Sequence, residues 1–206
     1  AFEGQLTKTS PLKRDSLLHY IEKPRYGISK KCSYECADTD TPVYRIPNIE
    51  WSIGRIDHED MKYAHFSDKE VEGVRLKKDD ILIIRSNGSV SLVGRAALVS
   101  QKDTCGSFAG YLMRIRVTKP DALIPKFLLL YLNSNQARVY IENKAKSTSG
   151  VNNINSDEIS QLPIPLFSHQ EQVAIIDEIE SRLSVCDSIE QTVDAALAQA
   201  EALRQS

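Results

Sequence analysis

Arginine, asparagine and serine side chains gather in one short stretch, Arg85-Ser86-Asn87-Gly88-Ser89, and Arg95 follows a few residues later. Arginine can donate two hydrogen bonds to guanine, and asparagine can pair in the same way with adenine. Asn-Gly is also a strong turn signal in its own right, so a plain solvated hairpin turn accounts for the same residues. The stretch is a candidate base-reading loop, whose candidate contacts are Arg85, Ser86, Asn87, Ser89 and Arg95.

A second polar stretch runs from Lys144 to Asn153 and combines cations with small hydroxyls and amides. These groups suit contacts with phosphates and, to a lesser degree, with base edges, although an ordinary surface loop has the same composition. Two weaker basic clusters, around Lys31 and Arg45, are also explained by a solvated surface. The further candidate DNA contacts are therefore Lys146, Ser147, Thr148, Asn152, Asn153, Lys31 and Arg45.

One pattern in the chain formally fits metal-dependent nucleases, namely Pro120-Asp121 followed by Glu142-x-Lys144. That chemistry needs the two carboxylates to share a metal ion that activates water. The stretch between them has helical spacing, and residues two apart on a helix point to different faces. We interpret the match as chance. The sequence also lacks an Asn-Pro-Pro or Asp-Pro-Pro methyltransferase motif and a glycine-rich cofactor loop, which predicts a protein that is not an enzyme and needs no cofactor.

Four cysteines are spread along the chain, at Cys32, Cys36, Cys105 and Cys186. Zinc sites usually draw on two close pairs of ligands, and only the first two cysteines are close in sequence. A site built from distant ligands stays possible, but the spacing favours four reduced thiols, three in the body and one on a helix. We expect no metal.

The candidate loop lies between two stretches with strand character. Residues 81–84 are continuously apolar, and residues 92–99 run back from the loop, which predicts a hairpin with the Asn-Gly turn at its tip. Residues 43–47 and 111–117 are further predicted strands. Residues 120–144 have helical spacing with a break at 133–135, and residues 162–166 are extended because each residue before a proline avoids the helical region.

The final segment predicts one long helix. Ser168-His169-Gln170-Glu171 has the capping-box form, and no proline or glycine follows it. Apolar residues then recur in steps of three or four over a length of roughly 57 Å. A helix so long and one-sided needs a partner helix, supplied by a second chain or by another part of the same protein. The predicted pairing residues are Ile176, Ile179, Leu183, Ile189, Val193 and Leu203.

Charge is divided unevenly along the chain, whose formal net charge is −2. Residues 168–206 hold eight acidic and two basic residues, a net charge of −6, whereas the remaining 20 acidic and 24 basic residues give +4. A mildly basic body permits contact with phosphates. No apolar run approaches the ~20 residues of a membrane span, and the first residues lack a signal-peptide pattern, so we expect a cytoplasmic protein without a membrane partner.

Several of these stretches together resemble the specificity subunits of type I restriction–modification systems. Asp80-Ile-Leu-Ile-Ile-Arg-Ser-Asn87 followed by Leu92-Val-Gly-Arg95 resembles their first target-domain signature, and residues 127–134 resemble the helix that comes after it. Leu162-Pro-Ile-Pro-Leu166 with Glu171-Gln172 is similar to the entry to the long conserved helix of the family, and Leu203-Arg-Gln-Ser206 to its far end. The opening Ala1-Phe-Glu-Gly4 resembles the residues that come just after that far end in the family, so we expect one repeat unit, either the second half of a subunit or a half-subunit.

The resemblance implies an α+β fold, in which a small mixed or antiparallel β-sheet body carries a long C-terminal helix that packs in an antiparallel coiled coil. It implies a target recognition domain over residues 1–166, with 1–14 ending a preceding conserved helix, and the long helix over 167–206. It further implies a non-catalytic module that reads half of a bipartite site in double-stranded DNA, docks methyltransferase subunits and meets the restriction subunit indirectly. The alternative is a scaffold that pairs through its helix, as a homodimer or with a second half-subunit, and binds no DNA itself.

Overall fold

The computed structural model describes Phe2, residues 10–145 and residues 150–205. The strands are β1 (Lys13–Ser16), β2 (Arg25–Tyr26), β3 (Thr41–Tyr44), β4 (Ile49–Glu50), β5 (Arg55–Ile56), β6 (Lys62–Ala64), β7 (Ile81–Ile84), β8 (Ser86–Asn87), β9 (Ala96–Leu98), β10 (Ser107–Phe108), β11 (Leu112–Ile115), β12 (Asn152–Asn153) and β13 (Pro163–Leu166). The helices are α1 (Asp68–Val74), α2 (Pro125–Leu132), α3 (Asn135–Lys144), α4 (Ser156–Ser160) and α5 (His169–Gln205).

A six-stranded mixed sheet in the order β2-β11-β7-β9-β5-β4 organises the body. Its neighbours are antiparallel except for β5 and β9, which pair in parallel. A three-stranded sheet, β10-β3-β6, lies beside it, and two short ribbons join β1 to β13 and β8 to β12. The α+β fold class is confirmed.

The central strand β7 separates two parts of the core. Successive side chains of a strand point to opposite faces, so Ile81 and Ile83 pack with α2, whereas Leu82 and Ile84 pack with Tyr44 and Phe108. All four residues of β7 are essentially inaccessible to solvent. This burial on both faces explains why the sequence is apolar at consecutive positions here, without the usual alternation.

Most predicted elements are present with shorter bounds. The strand expected at 43–47 ends at Tyr44 and continues as a 3-10 turn at Ile46–Asn48, and the strand expected at 111–117 spans only Leu112–Ile115. The helix break near Asn133 is confirmed, since α2 ends at Leu132 and α3 begins at Asn135. Of the segment 1–14, residues 13 and 14 belong to β1 and pair with β13, while Ala1 and residues 3–9 lie outside the described part of the chain.

The helix α5 begins as predicted, because Ser168 Oγ donates to the Glu171 carboxylate and accepts from the Glu171 backbone N–H. Its first turns pack on the body, where Ile175 is fully buried and Ile176 and Ile179 are half-buried against the core. From residue 180 onward, every described side chain of the helix is exposed. We call residues 181–205 the shaft; its length is roughly 37 Å.

One buried side chain joins α5 to the body. Gln172 has no solvent-accessible surface, and its Oε1 accepts from the Ile124 backbone N–H at 2.9 Å. Its Nε2 donates to the carbonyl oxygens of Ala122, at 2.8 Å, and Phe167, at 3.0 Å. The loop before α2, the end of β13 and the first turn of α5 therefore meet at this amide.

Among the described residues, no helix is both long and apolar enough to cross a membrane.

Candidate nucleic-acid interface

The two polar stretches singled out in the sequence come together in space. Ser86 and Asn87 form β8, which pairs antiparallel with Asn152 and Asn153 of β12. The Asn152 side-chain amide donates to the Gly88 carbonyl at 2.9 Å, and the Ile154 N–H donates to the Arg85 carbonyl at 2.9 Å. We call residues 85–95 together with β12 the ribbon site. Lys146, Ser147 and Thr148 lie outside the described residues, so their predicted contacts stay predictions.

The predicted hairpin between residues 81–84 and 92–99 is present, but Asn87-Gly88 is not a two-residue turn at its tip. Strands β7 and β9 do pair antiparallel, but their last partners are Ile83 and Ala96, which leaves a long connection in place of a two-residue turn. The chain reverses through turns in which the Leu92 N–H donates to Ser89 and the Val93 N–H to Val90. Gly94, with a φ of +86°, then returns it to β7, since its N–H donates to the Ile84 carbonyl. Asn87 serves instead as the first residue of a local turn, since its Oδ1 accepts from the Ser89 N–H at 2.8 Å.

Arg85 is held in place by the body. Its guanidinium lies over the Tyr26 ring, 4.4 Å from the ring centroid, and Nη1 donates to the Gly110 carbonyl at 3.0 Å. Tyr26 is itself fixed, because its hydroxyl accepts from the Ser156 N–H at the start of α4. The exposed Tyr111 follows Gly110 directly. The half-buried Arg85 thus presents a restrained planar cation over the exposed Tyr26 ring, which suits stacking as well as hydrogen bonding to bases.

Arg95 lies on the other flank of the connection. Its guanidinium stacks on Trp51, 3.9 Å from the ring centroid, and its Nε donates to the Ser91 carbonyl at 3.2 Å. Burial and then the neighbouring charge of Arg138 lower the pKa of Arg95 from its ordinary value. The two candidate arginines therefore face the β2 and β4 sides of the sheet respectively, and the structure does not bring them to one tip.

The remaining candidates are separate from the ribbon site. Arg45 forms an ion pair with Asp60 at 2.7 Å and also donates to the Asp60 carbonyl, so its guanidinium is already engaged. Lys31 is exposed, in the segment that leads to the isolated bridge between Ser33 and Tyr63 beside β6. Within the described residues, no hydrogen bond or ion pair links either cation to residues 85–95.

Arg138 is a positioning residue that the sequence reasoning missed. Its guanidinium is almost fully buried beneath the connection, where it donates to the carbonyl oxygens of Val90, Ser91 and Val93 and pairs with Glu142 at 2.8 Å. Three backbone carbonyls on one arginine hold residues 90–93 against α3. The only signal in the sequence is an arginine between Ala137 and the apolar residues Val139-Tyr140-Ile141, which by itself does not indicate what it binds.

The nuclease pattern does not form a shared site. Asp121 precedes α2, whereas Glu142 lies inside α3 and pairs with Arg138, so the stretch is helical as predicted. The four cysteines are unpaired, three of them in the body and Cys186 on α5. Among the described residues, no group of three or more histidine, cysteine, aspartate or glutamate side chains is placed to hold a metal ion.

A family model and the curated relatives of this chain agree on one protein family. The family model described as "Type I restriction modification DNA specificity domain" matches residues 21–199. The EcoKI specificity subunit of Escherichia coli K12 is 30% identical over 206 residues, which is all of this chain and 42% of that protein. The StySPI specificity subunit of Salmonella potsdam is 32% identical over 138 residues, or 67% of this chain and 30% of that protein. The chain thus spans less than half the length of these relatives.

Solved structures share the fold at low sequence identity. The HsdS subunit from Thermoanaerobacter tengcongensis superposes with a TM-score of 0.67 at 15% identity, covering 93% of this chain and 46% of that one. The S subunit of a type I restriction–modification system from M. genitalium gives a TM-score of 0.53 at 18% identity, covering 85% of this chain and 39% of that one. These matches agree with an α+β body that carries a long helix.

Proposed function

The chain belongs to the type I restriction–modification DNA specificity family, and on that premise we propose that it reads one half of a bipartite target in double-stranded DNA. The observation that carries the proposal is the pairing of β8 with β12, which joins two polar stretches 65 residues apart into one ribbon site. A two-stranded ribbon fits the major groove, where each base pair presents a distinct pattern of donors and acceptors.

We assign roles within the ribbon site by exposure and restraint. Arg85 supplies a held guanidinium for a guanine edge, while Asn87, Ser89, Asn152 and Asn153 supply amides and hydroxyls around it. Ser86 is buried, so its part is to pair with Asn153 in the ribbon. Arg95 and the predicted contacts Lys146, Ser147 and Thr148 belong to the flanks, where we expect phosphate contacts.

We propose that the shaft pairs with a second long helix, from the other half of a full subunit or from a second copy. Leu183, Ile189 and Val193 are each about half exposed, and they continue the face that packs on the body at Ile175 and Ile179. Ile176 and Ile179 are partly used by the body, so the pairing starts near Leu183. The side chain of Leu203 lies outside the described residues.

The proposal leaves methyl transfer and DNA cleavage to partner subunits in the cytoplasm. In it, the methyltransferase subunits dock on the specificity subunit, and the restriction subunit joins through them. A second candidate is a helix-pairing scaffold that binds no DNA itself. The exposed apolar side chains of the shaft favour it, but it gives no role to the restrained Arg85 and the Tyr26 ring beneath it.

The decisive experiment is a selection from random double-stranded DNA with the methyltransferase subunit present. We expect one enriched half-site for the wild-type chain. Arg85→Ala should relax the preference at one position, at a cost of roughly 1–3 kcal/mol, because a bidentate base contact is worth about that much. The matched control is Arg55→Ala, an exposed arginine on β5 that should keep the wild-type motif. A wild-type selection without any enriched sequence would favour the scaffold.

A further inference from the structure

A basic groove lies on the body, and its lining includes no residue of the ribbon site. Its volume is about 960 Å³. Six basic and three acidic side chains line it, together with apolar and glycine residues of α1. The basic ones are Arg25, Lys69, Arg75, Lys77, Arg114 and Arg116, and the acidic ones are Glu22, Asp68 and Glu72. The wall therefore has a formal excess of three positive charges, in a chain whose overall charge is negative.

The charge in this groove is incompletely neutralised from within. Arg116 is paired with Asp80 through two hydrogen bonds of 2.6 and 2.7 Å. Arg114 is 4% exposed, and its one ion pair in the described part of the chain is with Glu22 at 3.4 Å. Its Nε is buried and has no hydrogen-bond partner among the described residues. Its Nη1 donates to the Arg75 carbonyl at 2.9 Å, and burial, followed by the neighbouring Arg116, lowers the pKa of Arg114 from its ordinary value.

The exposed cations of the groove are also available. Arg25, Lys69, Arg75 and Lys77 form no ion pair with a described residue. Asp68 and Glu72 both belong to α1, so an anion is disfavoured on that wall. Glu22 lies within 3.8 Å of both Arg114 and Arg116 and is shared between them. The positive charge that is left over belongs to the other wall. The wall formed by β2, β11 and the loop before β7 is the one that can accept a negatively charged ligand.

We infer that this groove holds phosphate groups of the DNA backbone beside the bases read at the ribbon site. The inference rests on the proposed function and adds a contact that reads no sequence. Arg25 and Tyr26 are consecutive on β2, so they point to opposite faces of that strand. Tyr26 carries Arg85, and Arg25 lines the groove, which places both sites at the same edge strand. Arginine and lysine contacts of this kind fix the register of a duplex without specifying bases.

The test is a salt titration of DNA binding. With the methyltransferase subunit present, as in the selection, the full chain is titrated against a fluorescently labelled 30-bp random duplex and against the selected target, at 50 to 200 mM salt. The test variant is Arg25→Gln with Lys77→Gln. The control is Arg55→Gln with Lys78→Gln, which removes the same charge from exposed residues outside the groove. Both pairs are exposed, and equal melting temperatures verify that the fold is kept.

We expect the test variant to reduce the slope of log affinity against log salt by about 1.8, since each lost phosphate contact contributes ~0.9. The fall in affinity between 50 and 200 mM salt then becomes about twelve-fold smaller than for wild type. Random and target duplexes should weaken alike, with base preference unchanged, and the control should keep the wild-type slope. If the test variant has the same slope as the control, the groove does not bind phosphates, and the proposal of base reading at the ribbon site is unaffected. A wild-type chain that fails to bind either duplex overturns the proposed function as well.

Discussion

Replacing Gln172 with alanine is expected to weaken the joint between α5 and the body and to destabilise the whole chain. The substitution removes three hydrogen bonds and leaves the Ile124 N–H and the carbonyls of Ala122 and Phe167 without their partner. Each bond contributes about 1 kcal/mol net, and each buried group left unpaired costs a similar amount or more. We expect a loss of about 3–4 kcal/mol in the free energy of unfolding. For a chain of this size that lowers the melting temperature by roughly 10 °C.

Urea unfolding followed by circular dichroism measures this loss as a shift of the midpoint at constant slope. Gln170→Ala is the matched control, because Gln170 is exposed in the same helical turn and undergoes the same chemical change. Its effect should stay within about 0.5 kcal/mol. If the two alanine variants unfold at the same urea concentration, the amide does not join the helix to the body.

Gln172→Glu tests the direction of the hydrogen bonds at nearly constant shape. A carboxylate cannot donate to the Ala122 and Phe167 carbonyls, and a protonated carboxyl can donate to only one of them. Glutamate must therefore be protonated in the folded state to replace even one of the two donated hydrogen bonds. Its folded pKa then lies above its unfolded pKa. The variant should therefore be closest to wild type in acid and should lose stability relative to wild type as the pH rises. A pH-independent difference from wild type would contradict the assigned donor.

Two further outcomes are expected. Ile189→Asp should weaken pairing of the shaft by roughly 100-fold or more, because an unpaired charge is costly in an apolar interface. Gln191→Asp adds the same charge on the opposite face of the helix and should leave the pairing unchanged. Light scattering that gives both variants the same mass would contradict the pairing. Hydrogen bonds from Lys30 and then from Ser67 lower the pKa of Glu70 from 4.5 to about 2. Wild type should therefore be more stable than Glu70→Gln above pH 4.5, and this difference should fade towards pH 2. A difference in melting temperature that stays constant across this pH range would count against the ion pair.

The sequence predicted the parts of the fold whose signals are local. The buried strand β7, the break between α2 and α3 and the capped start of α5 each follow from neighbouring residues. The order of the strands does not, because β10 pairs with β3 and β12 with β8 across long stretches of chain. The Asn87-Gly88 turn is wrong for the same reason, because Ser86 and Asn87 pair with β12, whose Asn152 is 65 residues from Asn87.

The sequence alone predicts which residue types form the candidate site, but not which other residues hold them in place. Arg85, Asn87 and Asn152 are singled out by their chemistry, and the structure groups them. Arg45 has the same chemistry, yet Asp60 engages it, and only the fold shows that. Arg138 and Gln172 act through backbone carbonyls of distant segments, and a backbone carbonyl leaves no mark on the sequence. Positioning residues of this kind stay invisible until the tertiary contacts are known.

The shaft works as a lever whose fulcrum is the first two turns of α5. A tilt of only about 5° at that fulcrum moves the far end by roughly 3 Å over its ~37 Å of reach. This displacement is close to the ~3.4 Å step from one base to the next along a DNA strand. Under the proposed function, in which two reading bodies are held apart on one duplex, angular stiffness at the buried end of α5 would therefore decide which base pair each body meets.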